Sequence, residues 1–153
     1  MHQAAGPSPG LQQRQGDLGD PEGLGWRVKT LGVYLAGRYD RRRELEAYAA
    51  QLPDSWRSTA RWLTGAHEGA TDPDVLRRCA MEDLEDIRQS DVLVAFTEGP
   101  DVGHTSGGRH VETGYALSRG LTFIVVGPVE NVFHHAADAV YATWAEALEE
   151  EFA

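Results

Sequence analysis

The chain has 153 residues, 41% hydrophobic and 25% charged, with a formal net charge of −10 at pH 7. This is the composition of one soluble globular domain long enough to bury a core. It argues against nucleic-acid polymers and anionic membranes as partners, and no apolar run approaches the ~20 residues of a membrane span. The one cysteine, Cys79, cannot form an internal disulfide and suits a reducing compartment. The amino terminus lacks a basic region followed by an apolar core, so no signal peptide is expected and the chain is placed in the cytoplasm.

Residues 1–26 hold Gly6, Gly10, Gly16, Gly19, Gly23 and Gly25 with Pro7, Pro9 and Pro21, and almost no large apolar side chains. Such a segment cannot offset its ordering entropy and reads as a disordered leader to a domain over 27–153. Residues 30–36 (TLGVYLA) predict a first strand. Residues 41–52 predict a helix with Leu45, Tyr48, Ala49 and Leu52 on one face, ended by Pro53-Asp54. Residues 55–63, with Trp56, Ala60 and Trp62 among polar neighbours, read as a second strand, and 65–74 as a loop. Asp72 as N-cap and Pro73 behind it open a helix that runs to about Gln89, with Val75, Leu76, Cys79, Leu84 and Ile87 as its apolar members.

Residues 91–96 (DVLVAF) form a β-branched, apolar run typical of a strand buried on both faces. A loop rich in glycine follows, then a helix over 109–119 that stops at Gly120. Residues 121–126 (LTFIVV) are another buried strand, closed by Gly127-Pro128. Residues 129–139 read as loop or short helix, 140–142 as a last short strand, and 143–152 as a helix capped by Thr143. Strands alternating with helices imply an α/β domain. The expected fold is doubly wound and flavodoxin- or Rossmann-like, a parallel sheet of four to five strands with helices on both faces. Ligands in such sheets bind beyond the carboxyl ends of the strands, which gathers the loops after Ala36, Phe96 and Val126 on one edge.

Four groups of residues face that edge. The first is Tyr34 with Gly37 and Arg38: the glycine permits close backbone approach and the arginine suits an anion. Arg42 and Arg43 read instead as a solvated helix start. The second is Asp83, one position before the core residue Leu84, so that it can project past the helix edge toward the strand ends; Asp91 either opens its strand or makes a turn. The third is Ser106, Gly107, Gly108, Arg109 and Glu112, a loop and helix start able to hold a phosphate, with Glu112 where the helix dipole favours negative charge. The plain alternative is an ordinary strand-to-helix loop with a surface glutamate. The fourth is Asn131 with His134 and His135, without the spacing of a metal site and better suited to a pocket or a subunit contact. No metal or other cofactor is expected.

At these residues the chain resembles the nucleoside 2-deoxyribosyltransferase family, which includes the deoxynucleoside 5′-monophosphate N-glycosidases. The resemblance spans roughly residues 30–148. Three pieces carry it: Val33-Tyr34-Leu35-Ala36-Gly37-Arg38; Asp83-Leu84-Glu85-Asp86-Ile87-Arg88-Gln89-Ser90-Asp91; and Ser106 to Glu112 followed by Gly114-Tyr115-Ala116-Leu117-Ser118-Arg119-Gly120. It implies cleavage of an N-glycosidic bond, with Glu112 as nucleophile at C1′, Asp83 handling the proton of the departing base and Tyr34 beside the nucleophile. Ser106 stands where the transferases carry an aspartate and the monophosphate hydrolases a phosphate-binding serine. A 5′-monophosphate substrate and hydrolysis are therefore expected, with phosphate binding carried to Arg38 only as a suggestion.

Arg109 and His110 are bulkier than the family's gap residues, and the loop 98–105 is long. The resemblance also implies a homodimer or larger homo-oligomer whose sites borrow residues from a neighbour, with 131–135 as the candidate segment. Transfer of deoxyribose between bases, a phosphoribohydrolase using Gly107-Gly108 and Glu112, and a non-catalytic nucleotide-binding module remain as alternatives. The phosphoribohydrolase reading lacks the fuller Pro-Gly-Gly-x-Gly-Thr pattern.

Overall fold

A computed structural model describes residues 29–103 and 107–153. The expected leader over 1–26 and the assignment of Ser106 lie outside the described residues. The chain builds one five-stranded sheet from β1 (Leu31–Ala36), β2 (Trp56–Ser58), β3 (Val92–Phe96), β4 (Thr122–Val126) and β5 (Ala139–Tyr141). The order is β2-β1-β3-β4-β5 and every pairing is parallel. Helices α1 (Arg42–Ala49), α2 (Pro73–Arg88), α3 (Gly108–Ser118) and α4 (Trp144–Glu151) connect and cover it. This is the expected doubly wound, flavodoxin-like fold. From β1 the chain steps outward to β2, then crosses back to β3 on the other side of β1. The loops after β1 and β3 therefore part at this switch point and leave a crevice over the carboxyl ends.

The central strands are continuous apolar runs because both their faces are covered. Val33 to Ala36, Leu93 to Phe96 and Phe123 to Val125 are all buried. The helices start where their caps dictate. The Asp72 side chain accepts from the backbone N–H groups of Asp74 and Val75, and Thr143 with Glu146 forms a capping box. Among the described residues no helix is long and apolar enough to cross a membrane.

The second expected strand is shorter than its sequence suggested. Only Trp56–Ser58 pairs with β1, and Arg61–Thr64 is a 3-10 turn ended by Gly65 in the left-handed region at φ 71°. Tertiary contacts override the strand-like composition: the Trp62 indole N–H donates to the Leu35 carbonyl at 3.0 Å and Leu63 enters the core. The first helix is also shorter than expected, because a separate 3-10 turn, Tyr39–Arg41, precedes it and its last residue is Ala49. Arg42 is not a solvated helix start. It is buried, donating to the Leu63 carbonyl at 2.8 Å and to Glu68 at 3.2 Å, and so pins α1 to the turn after β2. Asp91 sits at the amino end of the sheet, where its carboxylate accepts the Gly32 N–H at 2.8 Å. Residues 129–139 contain a 3-10 turn, Val132–Ala136, capped by the Asn131 side chain.

Candidate active site

Tyr34, on β1, is fully buried. Its hydroxyl donates to Oε1 of Glu112 on α3 at 2.7 Å, a contact between residues 78 positions apart. Burial pushes the Glu112 carboxyl up to about 7; the Tyr34 hydrogen bond opposes the rise, the nearby Asp83 adds to it and the Arg109 charge opposes it. Asp83, on α2, is pushed up to about 6 by burial and by Asp86, with the Tyr34 hydroxyl working the other way. The Tyr34 phenol itself lies well above its ordinary value, first through burial and then through Glu112, so it remains a donor at any working pH. A phenol and two carboxyls of raised proton affinity thus share one crevice, the arrangement in which one carboxyl can be charged while another holds a proton.

The crevice is an open cavity of about 960 Å³. Of the residues singled out in the sequence, Gly37, Arg38, Asp83, Gly107, Gly108, Arg109 and Glu112 line it, and Tyr34 reaches it through Glu112. Gly107 adopts φ 83° at the entry to α3 and permits the abrupt turn from loop to helix. Trp62 and His67, to which sequence reasoning gave no role at the site, also line the cavity, together with Tyr39 from the loop after β1. The Tyr39 and Trp62 rings are 6.2 Å apart, a wall of aromatic character suited to a planar heterocycle. The one sequence signal was a tryptophan followed closely by Gly65, hidden inside a segment that reads as strand.

The cations are less free than the sequence implied. Arg38 is bound through Nε and Nη2 to Asp40 at 3.0 and 2.8 Å. The Arg109 guanidinium turns away from the solvent: Nη1 donates to the Phe96 carbonyl at 2.6 Å and to Glu98 at 2.8 Å, and Nη2 to Glu130. Asn131 does not line the cavity; its Oδ1 accepts the Phe133 N–H at 2.9 Å as the cap of its turn. His110, Glu130 and His134 bring potential metal-ligand atoms within 4.8 Å of one another. The donor set does not fit a cation. Both Glu130 oxygens are engaged, by Arg109 and by the Glu98 N–H. Nδ1 of His134 accepts the Glu130 N–H at 3.1 Å, which leaves the proton of this neutral ring on Nε2.

No protein-family model and no curated protein sequence matches the chain. Solved structures do. A 2-deoxyribosyltransferase from Bacillus psychrosaccharolyticus superposes with a TM-score of 0.63 at 16% identity, over 79% of this chain and 93% of that one. A conserved protein from Enterococcus faecalis V583 gives 0.58 at 17%, over 79% and 96%. A CMP N-glycosidase from Clostridium botulinum gives 0.50 at 20%, over 78% and 96%. The chain therefore has the doubly wound, flavodoxin-like α/β fold of these three proteins, over nearly the whole length of each.

Proposed function

We propose that the protein hydrolyses the N-glycosidic bond of a (deoxy)nucleoside 5′-monophosphate through a covalent glycosyl ester on Glu112. The observation that carries this reading is the Tyr34–Glu112 contact of 2.7 Å beside Asp83 in the cavity. In the first step a Glu112 carboxylate oxygen bonds to C1′ as the C1′–N bond breaks, and Asp83 gives its proton to the departing nitrogen. In the second, Asp83 takes a proton from water as the water oxygen bonds to C1′ and the ester bond breaks. Tyr34 steadies the Glu112 carboxylate before its attack and again as the ester bond breaks. The likeness to a CMP N-glycosidase and a 2-deoxyribosyltransferase supports chemistry at this bond.

The productive state needs Glu112 charged and Asp83 protonated, so the pair works while it holds one proton. Asp83 lies near 6 and Glu112 near 7, so in the free chain the single proton rests mainly on Glu112 and the productive arrangement is the minor form of the one-proton pair. Activity is then bell-shaped, falling as a second proton is added below about 6 and as the last is lost above about 7. The phosphate end of the substrate lies toward the start of α3, where Gly107 and Gly108 present backbone N–H groups, with Ser106 and Arg38 as further ligands. Transfer to a second base is the other reading, favoured by a cavity of about 960 Å³ with room for an acceptor.

A second copy of the chain completes the assembly: Val111, Val132 and Phe133 are 66%, 73% and 66% exposed, an apolar surface beside Asn131 that suits a partner. Light scattering reads that state directly, and an active monomer would remove it. The single Cys79 agrees with a cytoplasmic enzyme.

The decisive experiment is chromatographic. Each deoxynucleoside and 5′-monophosphate is incubated with the protein, with and without a free acceptor base. Free base from monophosphates without acceptor supports hydrolysis. New nucleosides formed only with acceptor support transfer. Nucleotide binding that survives Glu112→Ala, with no turnover by the parent chain, leaves a binding module.

A further inference from the structure

The start of α3 carries Glu112, yet little in its own backbone holds it. Its N-cap, Gly107, offers no side-chain hydrogen bond, and the first turn contains no acidic residue. A Cβ built on Gly107 or Gly108 would meet nothing within 4 Å. Among the described residues, one side chain ties this helix end to three other segments. Arg109 reaches the last residue of β3 through the Phe96 carbonyl, the loop behind it through Glu98, and the segment after β4 through Glu130. Glu98 and Glu130 are themselves joined, since the Glu98 N–H donates to Glu130 at 2.9 Å. Glu98 also accepts from Arg41 at 3.0 Å, in the turn beside the cavity residues Arg38, Tyr39 and Asp40. A planar guanidinium holds its donors in a fixed fork that reaches acceptors on three separate segments, whereas an ammonium offers its three donors from a single atom on a flexible stem. The two carboxylates also cancel a positive charge that would otherwise stand unopposed at a helix N-terminus.

We infer that Arg109 is a positioning residue: it clamps the start of α3 to the ends of β3 and β4 and thereby sets the place of Glu112, one helical turn further on. The inference rests on the proposed role of Glu112 as nucleophile. It replaces the direct phosphate contact that the sequence implied for Arg109, because both of its Nη groups donate to protein acceptors and Nε, though unpartnered, is buried. Electrostatics follow the same geometry. The groups facing Glu112 are Tyr34 from β1, Asp83 from α2 and Arg109 from α3 itself, and of the charged ones only Arg109 favours the ionised carboxylate. Loss of the clamp both loosens Glu112 and lifts its proton affinity.

The test compares Arg109→Met, Arg109→Lys and Glu130→Gln with the parent chain, on a deoxynucleoside and on its 5′-monophosphate. The clamp predicts that Arg109→Met lowers kcat by about 10- to 100-fold on both substrates with KM nearly unchanged. Arg109→Lys recovers little of this, and Glu130→Gln falls between the parent and Arg109→Met. A phosphate ligand would instead raise KM for the monophosphate alone and leave kcat intact, which overturns the inference. If Arg109→Met does not fold, the other variants carry the same comparison. A carboxyl-¹³C titration of Glu112 needs no substrate: its midpoint moves up in Arg109→Met, which removes both the clamp and its charge, and an unmoved midpoint with unmoved kcat overturns the inference. A parent chain that releases no base defeats the proposed function, while the titration still decides the clamp.

Discussion

The two ends of the sheet use the same residue types for opposite purposes. At the amino end, the Asp91 carboxylate accepts the Gly32 N–H and the Asp138 carboxylate accepts the Phe123 N–H, each at 2.8 Å. Each carboxylate satisfies a fixed backbone donor, and the aspartates tie strand entries together. At the carboxyl end, Glu112 faces a phenol and another acid, and Asp83 faces mainly other acids. Burial without enough donors lifts both toward neutrality. An acid that satisfies backbone N–H groups is a rivet; an acid left short of donors in a cavity is available for proton transfer and for attack on carbon.

The comparison is broken first at Glu112. Replacement by Ala should lower base release by at least about 10³-fold while leaving nucleotide binding nearly intact, read by single-turnover chromatography and by calorimetry. An active Glu112→Ala chain would end the nucleophile assignment. Asp83→Asn should cost about 10²- to 10³-fold, and less for bases that leave without protonation. An equal loss on every base would mean that Asp83 is not the acid. Tyr34→Phe removes the contact that holds Glu112 down, so the Glu112 midpoint should rise while kcat falls about 10-fold, seen in the same carboxyl titration.

Stability sharpens the contrast between the two ends. The folded carboxyls of Glu112 and Asp83 lie above their ordinary values, so the native state binds more protons than the unfolded chain over the acid-to-neutral range. Their contribution is therefore favourable at low pH and is lost as pH rises through about 6 to about 7. Glu112→Gln should accordingly raise the urea-unfolding free energy at pH 8 by about 1–3 kcal/mol and flatten its pH dependence. Asp91→Ala should do the reverse, costing about 1–2 kcal/mol through the unpaired Gly32 N–H with turnover unchanged. Lost activity with preserved stability in Asp91→Ala would contradict the division between the ends.

Much of the fold was legible along the chain. The runs behind β1, β3 and β4 are apolar on both faces because both faces are covered, and Asp72, Thr143 and Gly120 mark helix limits by local hydrogen bonding alone. The short edge strand β2 was overextended because its composition differs little from that of the turn after it; only the seating of Trp62 and Leu63 against β1 and α1 separates them. Tyr34, Asp83 and Glu112 were singled out by their place at the sheet edge, with roles implied by a resemblance in motif; Asp83 and Glu112 line one cavity and Tyr34 bonds to Glu112. Arg42 was misread, and the partners of Arg109 went unseen, for a shared reason. A charged side chain next to a helix start looks solvated or ligand-binding until its partners are known, and those partners lie 21 and 26 residues away for Arg42 and 11 to 21 for Arg109.

Sequence by itself determined the alternation of strands and helices and the edge on which the site opens. Those properties follow from side-chain periodicity and capping within a few neighbouring residues. Tertiary structure alone decided which charges are compensated, which acids are held near neutrality and how Glu112 is fixed. Charge compensation and desolvation depend on what the rest of the chain packs around a group, and no local pattern records that packing.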